Sequence, residues 1–178
     1  EGTLEIEVTD LDLGAVAAGA AERLRPQFEY ADVALVGEVG DPPEPIPVRG
    51  DVGRLTQVLS NLLGNALGHS PAGATVTIRC GRQNSLAFVD VIDNGPGIAA
   101  DEAERIFERF YRGSRMGTGL AGRGIGLTIA RSLARAHGGA VDGFGKNGVD
   151  GNAGDGDALG REAEGSEVDF GFVERDEV

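Results

Sequence analysis

A chain of 178 residues with 40% hydrophobic and 25% charged side chains carries enough apolar material for one globular core. No apolar run approaches the ~20 residues of a membrane span and no charged-then-apolar leader opens the chain, so a soluble, cytoplasmic domain is expected, which leaves a membrane-anchored parent protein open. The net charge of −13, the lone Cys80 and two separated histidines leave no disulfide, no zinc-type ligand set and no cationic surface for nucleic acid.

In chain order, Thr3 to Val8 alternates with the period of a half-buried strand. Asp10 or Asp12 can then cap a helix with the stripe Leu13, Val16, Ala17, Ala20 and Leu24, predicted to end at Pro26. Ala31 to Val39 reads as extended, and Pro42, Pro43, Pro45 and Pro47 forbid helix up to Val48. A helix is predicted from Asp51 as N-cap to Ser70, stopping before Pro71. Ala74 to Cys80 and Leu86 to Ile92 alternate as an antiparallel hairpin. A further helix is predicted over Asp101 to Arg112, a mobile glycine-rich stretch over 113–123, and a last helix over Gly124 to His137. The segment 144–164 is rich in Gly and Asp and reads as a long, poorly ordered loop, and Val168, Phe170 and Phe172 then mark a closing strand. The order predicts an α+β fold of a single domain: a two-layer sandwich with a mixed, largely antiparallel sheet and helices on one face.

Three stretches carry chemistry. In the helix from Asp51, the core stripe is Leu55, Val58, Leu59, Leu62 and Ala66, and Asn61 and Asn65 stack four residues apart along its border. Such amides suit a pocket wall or a solvated face alike. In DNGPGI, Asp93 to Ile98, two glycines admit a ligand close to the backbone and Asp93 offers an acceptor for an exocyclic amine; an ordinary turn would look the same. In GRGIGL, Gly122 to Leu127, a glycine-rich helix start offers backbone N–H groups to phosphate.

The order and spacing of these stretches, with FERFYR at Phe107 to Arg112 between the last two, resemble the catalytic ATP-binding domain of sensor histidine kinases. Those belong to the GHKL ATPase superfamily with its Bergerat fold. The segments are similar to the family's N, G1, F and G2 boxes, and the likeness covers about Leu4 to Gly139. Neither a Walker P-loop nor a Rossmann fingerprint occurs. The resemblance implies ATP and Mg²⁺ as cofactors, with Asn65 as the metal ligand and Asn61 on phosphate or metal-bound water. Asp93 would accept the adenine amine, and Gly95, Gly97 and Ile98 would line the base. Arg112 and Arg115 would meet the phosphates, Asn61 and Arg112 being the catalytic pair, while Gly122, Gly124, Gly126 and Leu127 would close over them. Phe107, Phe110 and Tyr111 would anchor the stretch that follows by packing.

The resemblance further implies transfer of the γ-phosphoryl to a histidine on a separate dimerisation domain, with a cognate response regulator downstream and the isolated domain monomeric. Neither histidine present fits that acceptor: His69 precedes Ser-Pro and His137 precedes Gly-Gly, and both read as caps or packing residues. Gly68 stands where the family commonly has Lys, which leaves His69 as the neighbouring side chain able to meet phosphate when protonated. The alternatives are a GHKL serine kinase of anti-sigma type, with the same pocket and another acceptor, and a degenerate nucleotide-binding signalling module. A gyrase-type or mismatch-repair-type ATPase needs a general-base Glu where Asn61 stands, and an amide cannot take a proton from water.

Overall fold

The computed structural model describes residues 5–38, 44–83, 86–95, 102, 105–109, 111, 125–144 and 166–173, and for 142–144 and 166–173 the backbone alone. The first regular element is a short strand, β1 (Thr9–Asp12), paired antiparallel with β3 (Pro47–Gly50), Thr9 opposite Gly50. The strand expected over Thr3 to Val8 is thus displaced toward the C-terminus. Beyond Gly50 the paired strand turns into a helix, so residues 5–8 have no β3 residue opposite them, and the Glu7 N–H instead donates to the Asp51 carboxylate at 3.0 Å.

Helix α1 (Leu13–Tyr30) starts at an extended Asp12 whose carboxylate accepts from the N–H of Gly14 at 3.0 Å and of Ile46 at 2.9 Å. One side chain thereby caps α1 and fixes the approach to β3. The helix does not stop at Pro26 as expected but continues to Tyr30. Proline in a helix interior costs about 3 kcal/mol. Burial of Leu24 and Phe28, either side of it, contributes about 1.5–3 kcal/mol each. Asp32 then takes the left-handed φ of 55° and leads into β2 (Ala34–Glu38).

Helix α2 (Val52–His69) matches its expected bounds, with Asp51 as N-cap accepting from the Arg54 N–H at 3.0 Å. Its buried face is Leu55, Val58, Leu59, Leu62, Leu63 and Ala66. Strands β4 (Thr75–Gln83) and β5 (Leu86–Asp93) form the expected antiparallel pair, with Val76 opposite Asp93. After a 3-10 turn and helix α3 (Gly126–Ala136), the chain adds β6 (Ala140–Phe144) and β7 (Ser166–Val173). β7 answers the expected closing strand, whereas β6 was not anticipated: AVDGF offers one alternating apolar pair interrupted by Gly143.

The main sheet has the order β2-β4-β5-β7-β6, parallel at β2–β4 and antiparallel elsewhere, so it is the mixed, largely antiparallel sheet expected. The buried stripes of the helices meet Val76, Ile78, Ala87, Val89 and Val91 in one core. Asp90, alternating with Val89 and Val91, lies on the other face. It is fully buried and pairs with the Arg79 guanidinium of β4 at 2.8 Å, the partner a desolvated carboxylate requires.

The helix expected over Asp101 to Arg112 is, among the described residues, a 3-10 turn over Arg105–Phe107. A bond from outside the turn accompanies it. In an α-helix the Phe107 carbonyl would receive the Tyr111 N–H; here it receives the Thr128 hydroxyl at 2.8 Å, and the Tyr111 N–H goes to the Glu108 carbonyl, three residues back.

Candidate functional site

The site forms where the last turns of α2, the end of β5 and the first turn of α3 meet. Helical spacing puts Asn61, Asn65 and His69 on one stripe of α2, all half-buried. The first residue of α3 lies against that stripe: a Cβ added to Gly126 would sit 3.7 Å from Asn61 Oδ1 and 3.8 Å from its Cβ and Cγ. The Asn61 Nδ2 is buried and has no hydrogen-bond partner among the described residues. An unsatisfied buried donor costs about 1–3 kcal/mol, so this amide stands open to an acceptor that the described residues do not supply. Across from it, α3 begins at Ile125 without a side-chain cap, which leaves its leading N–H groups to another acceptor.

Asp93 ends β5 with 5% of its surface exposed, and its Oδ1 accepts the Gly95 N–H at 2.7 Å. That bond folds the DNG turn back over the carboxylate and brings it against the end of α2. A Cβ on Gly95 would lie 2.6 Å from Asp93 Oδ1 and 3.0 Å from the His69 carbonyl oxygen. Glycine is therefore required here by close approach. The two motifs, some 25 positions apart in sequence, are joined at this contact.

Of the residues singled out from the sequence, Gly126 meets Asn61, Gly95 meets Asp93 and His69, and Asn65 lies between Asn61 and His69 on α2. Leu127 packs against the core. Gly97, Ile98, Arg112, Arg115, Gly122 and Gly124 lie outside the described residues, as do Phe110 and the segments 113–123 and 145–164. Gly68, in place of the family's usual Lys, is exposed. Phe107 is buried, as its packing role requires, and the Arg131 guanidinium stacks 4.7 Å above its ring. The Tyr111 hydroxyl donates to buried Glu102 at 2.8 Å, with Arg105 4.5 Å over the Tyr111 ring.

Glu102, Thr128 and Arg131 escaped the sequence reading. A threonine three residues into a helix and an arginine one turn later look like surface choices until the facing turn is known. His137 is a capping residue as expected: at the end of α3 its Nδ1 donates to the Leu133 carbonyl at 2.7 Å, and its Nε2 accepts the Asp51 N–H at 3.1 Å.

Among the described residues no three His, Cys, Asp or Glu side chains are grouped to hold a metal, and no helix is long and apolar enough to cross a membrane. Residues 50–172 match the family of histidine kinase-, DNA gyrase B-, and HSP90-like ATPases. Sensor protein IrlS of Burkholderia pseudomallei is 42% identical over 135 residues, 75% of this chain and 28% of IrlS. The probable sensor histidine kinase TcrY of Mycobacterium tuberculosis is 44% identical over 101 residues, 56% of this chain and 21% of TcrY. This chain thus spans about a quarter of those relatives. Among solved structures, the mycobacterial sensor histidine kinase MprB superposes with a TM-score of 0.70 at 26% identity, over 93% of this chain and 97% of that one. Full-length ShkA in complex with AMPPNP gives 0.71 at 27% identity, over 96% of this chain and 32% of that one. The chain belongs to the histidine kinase-, DNA gyrase B- and HSP90-like ATPase family, as an ATP-binding catalytic domain of the sensor histidine kinase kind.

Proposed function

We propose that the chain acts as one catalytic domain that binds Mg-ATP in the corner between α2, β5 and α3 and transfers the γ-phosphoryl to a histidine on a dimerisation domain outside this chain. The observation that carries the reading is the buried, partnerless Asn61 amide set against the uncapped start of α3. Together they offer a buried donor and a row of backbone N–H groups to one anion, which a triphosphate satisfies.

Asn65, one turn from Asn61, is the proposed metal ligand. With no carboxylate cage among the described residues, the donor set suits Mg²⁺, which keeps several waters and takes one or two protein oxygens plus phosphate oxygens. When bound, the ion neutralises charge on the phosphates. Asp93, held by the Gly95 N–H, accepts the adenine amine, with Gly95, Gly97 and Ile98 along the base. Arg112, Arg115 and His69 meet the phosphates, and Gly122, Gly124, Gly126 and Leu127 enclose them. In the transfer, the bond from the γ-phosphorus to the bridging oxygen breaks, a bond to the acceptor imidazole nitrogen forms, and ADP leaves; the protein contributes position and charge. A response regulator then receives the phosphoryl group. The titrable claim is adenine recognition. Asp93→Asn should weaken ATP about tenfold to a hundredfold, the worth of a hydrogen bond to a charged group, and leave the weaker GTP binding unchanged by calorimetry. Equal losses for both nucleotides would refute the role of Asp93, and no heat with Mg-ATP for the parent sequence would refute the kinase reading itself.

A further inference from the structure

Helix α3 is held at its first turn by a contact to the 3-10 turn that precedes it. Thr128 Oγ1 donates to the Phe107 carbonyl at 2.8 Å, and Arg131, one turn on, lies 4.7 Å above the Phe107 ring. A helical Thr usually returns its hydroxyl to a carbonyl of its own helix three or four residues back. Here the hydroxyl reaches another element, while the Tyr111 N–H goes to the Glu108 carbonyl. Backbone and ring of one buried residue are therefore gripped by two side chains of α3, which fixes the helix in both translation and rotation against Phe107. Two residues before Thr128, Gly126 meets the Asn61 side chain.

We infer that Thr128 is a positioning residue for phosphate: its bond to Phe107 sets where the leading N–H groups of α3 stand relative to Asn61. The inference rests on the nucleotide reading of this corner. With its hydroxyl engaged by the Phe107 carbonyl, Thr128 acts through the placement of α3. Without the hydroxyl, the start of the helix loses its fixed distance to Asn61, while Asp93 and Gly95, held by β5 and the end of α2, keep theirs. The defect should thus fall on the phosphates and spare the base.

Thr128→Val, which preserves shape and removes the donor, tests this beside Thr128→Ser, which restores it. Calorimetry with Mg-ATP and a chemical-shift titration with adenosine supply the two readouts. Thr128→Val should weaken ATP about threefold to tenfold, the range of one net hydrogen bond, with adenosine affinity within about twofold of the parent and Thr128→Ser matching the parent for both. Equal loss for ATP and adenosine would mark general damage and overturn the inference, as would undiminished ATP binding by Thr128→Val or failure of Thr128→Ser to restore it. If the parent sequence binds adenosine but gains nothing from the triphosphate, the phosphate reading of the corner falls first and takes this one with it.

Discussion

Helices α2 and α3 run antiparallel, and their two shared ends are built on opposite terms. At the end where Asp51 meets His137, polar groups are matched: the Asp51 carboxylate takes the N–H groups of Arg54 and Glu7, its own N–H goes to His137, and the other nitrogen of His137 closes on Leu133. At the end where Asn61 meets Gly126, a buried amide lacks a partner and the helix start lacks a side-chain cap among the described residues. The same two helices thus carry one end finished for stability and one left short of acceptors. In a chain whose net stability is about 5–15 kcal/mol, a deficit of about 1–3 kcal/mol is a considerable concession, and it falls in the corner proposed for the nucleotide.

Crowding the ligand end should have the largest effect. Gly95→Ala brings a methyl within 2.6 Å of Asp93 Oδ1 and 3.0 Å of the His69 carbonyl, and the second of these is backbone that cannot swing away. Destabilisation of about 1–3 kcal/mol in urea, with a loss of ATP affinity, is expected. An unchanged midpoint would mean the DNG turn does not rest on α2. Filling the deficit should act in the opposite direction. Asn61→Leu keeps the approximate shape and deletes the orphan donor, so the nucleotide-free protein should gain about 1 kcal/mol in urea while Mg-ATP binding is lost. A variant less stable than its parent would show that Asn61 is structural after all.

The regular elements were easier to read from sequence than the contacts that join them, and the reason is locality. Asp51 before a helical stripe, Pro71 after it and the alternation of Val76 and Ile78 are each decided within a turn or a few strand residues, and α2, β4 and β5 appear where expected. Pro26 misled because the burial of Phe28 outweighs a missing backbone bond, a tertiary effect invisible along the chain. The 3-10 turn at Phe107, where a helix is expected, is joined to Thr128 across 21 residues, a contact that nothing local discloses. At the site, the class of ligand came from the family resemblance that the order and spacing of the Asn, DNGPGI and GRGIGL stretches carry. That Gly95 must be glycine because the His69 carbonyl stands behind it follows only once β5 and α2 are seen to meet.

The smallest expected effect lies at the finished end and carries a pH signature. Hydrogen bonds from the Arg54 N–H, and then the Glu7 N–H, hold the Asp51 carboxyl below the usual carboxylate range, against the opposing pull of burial. A carboxyl whose folded pKa lies below its unfolded value stabilises the fold above the unfolded value, and loses that contribution as pH falls through the folded one. Asp51→Ala should therefore cost about 1 kcal/mol at neutral pH, typical of a helix N-cap, and leave ATP affinity unchanged. The gap between variant and parent should stay constant above about pH 5 and narrow below about pH 4, where the parent carboxyl takes up its proton. Urea midpoints measured from pH 7 down to 3 check this. A gap that widens on acidification would place the stabilisation elsewhere, and a fall in ATP affinity would mean that the two ends of the helix pair are coupled and not separate in purpose.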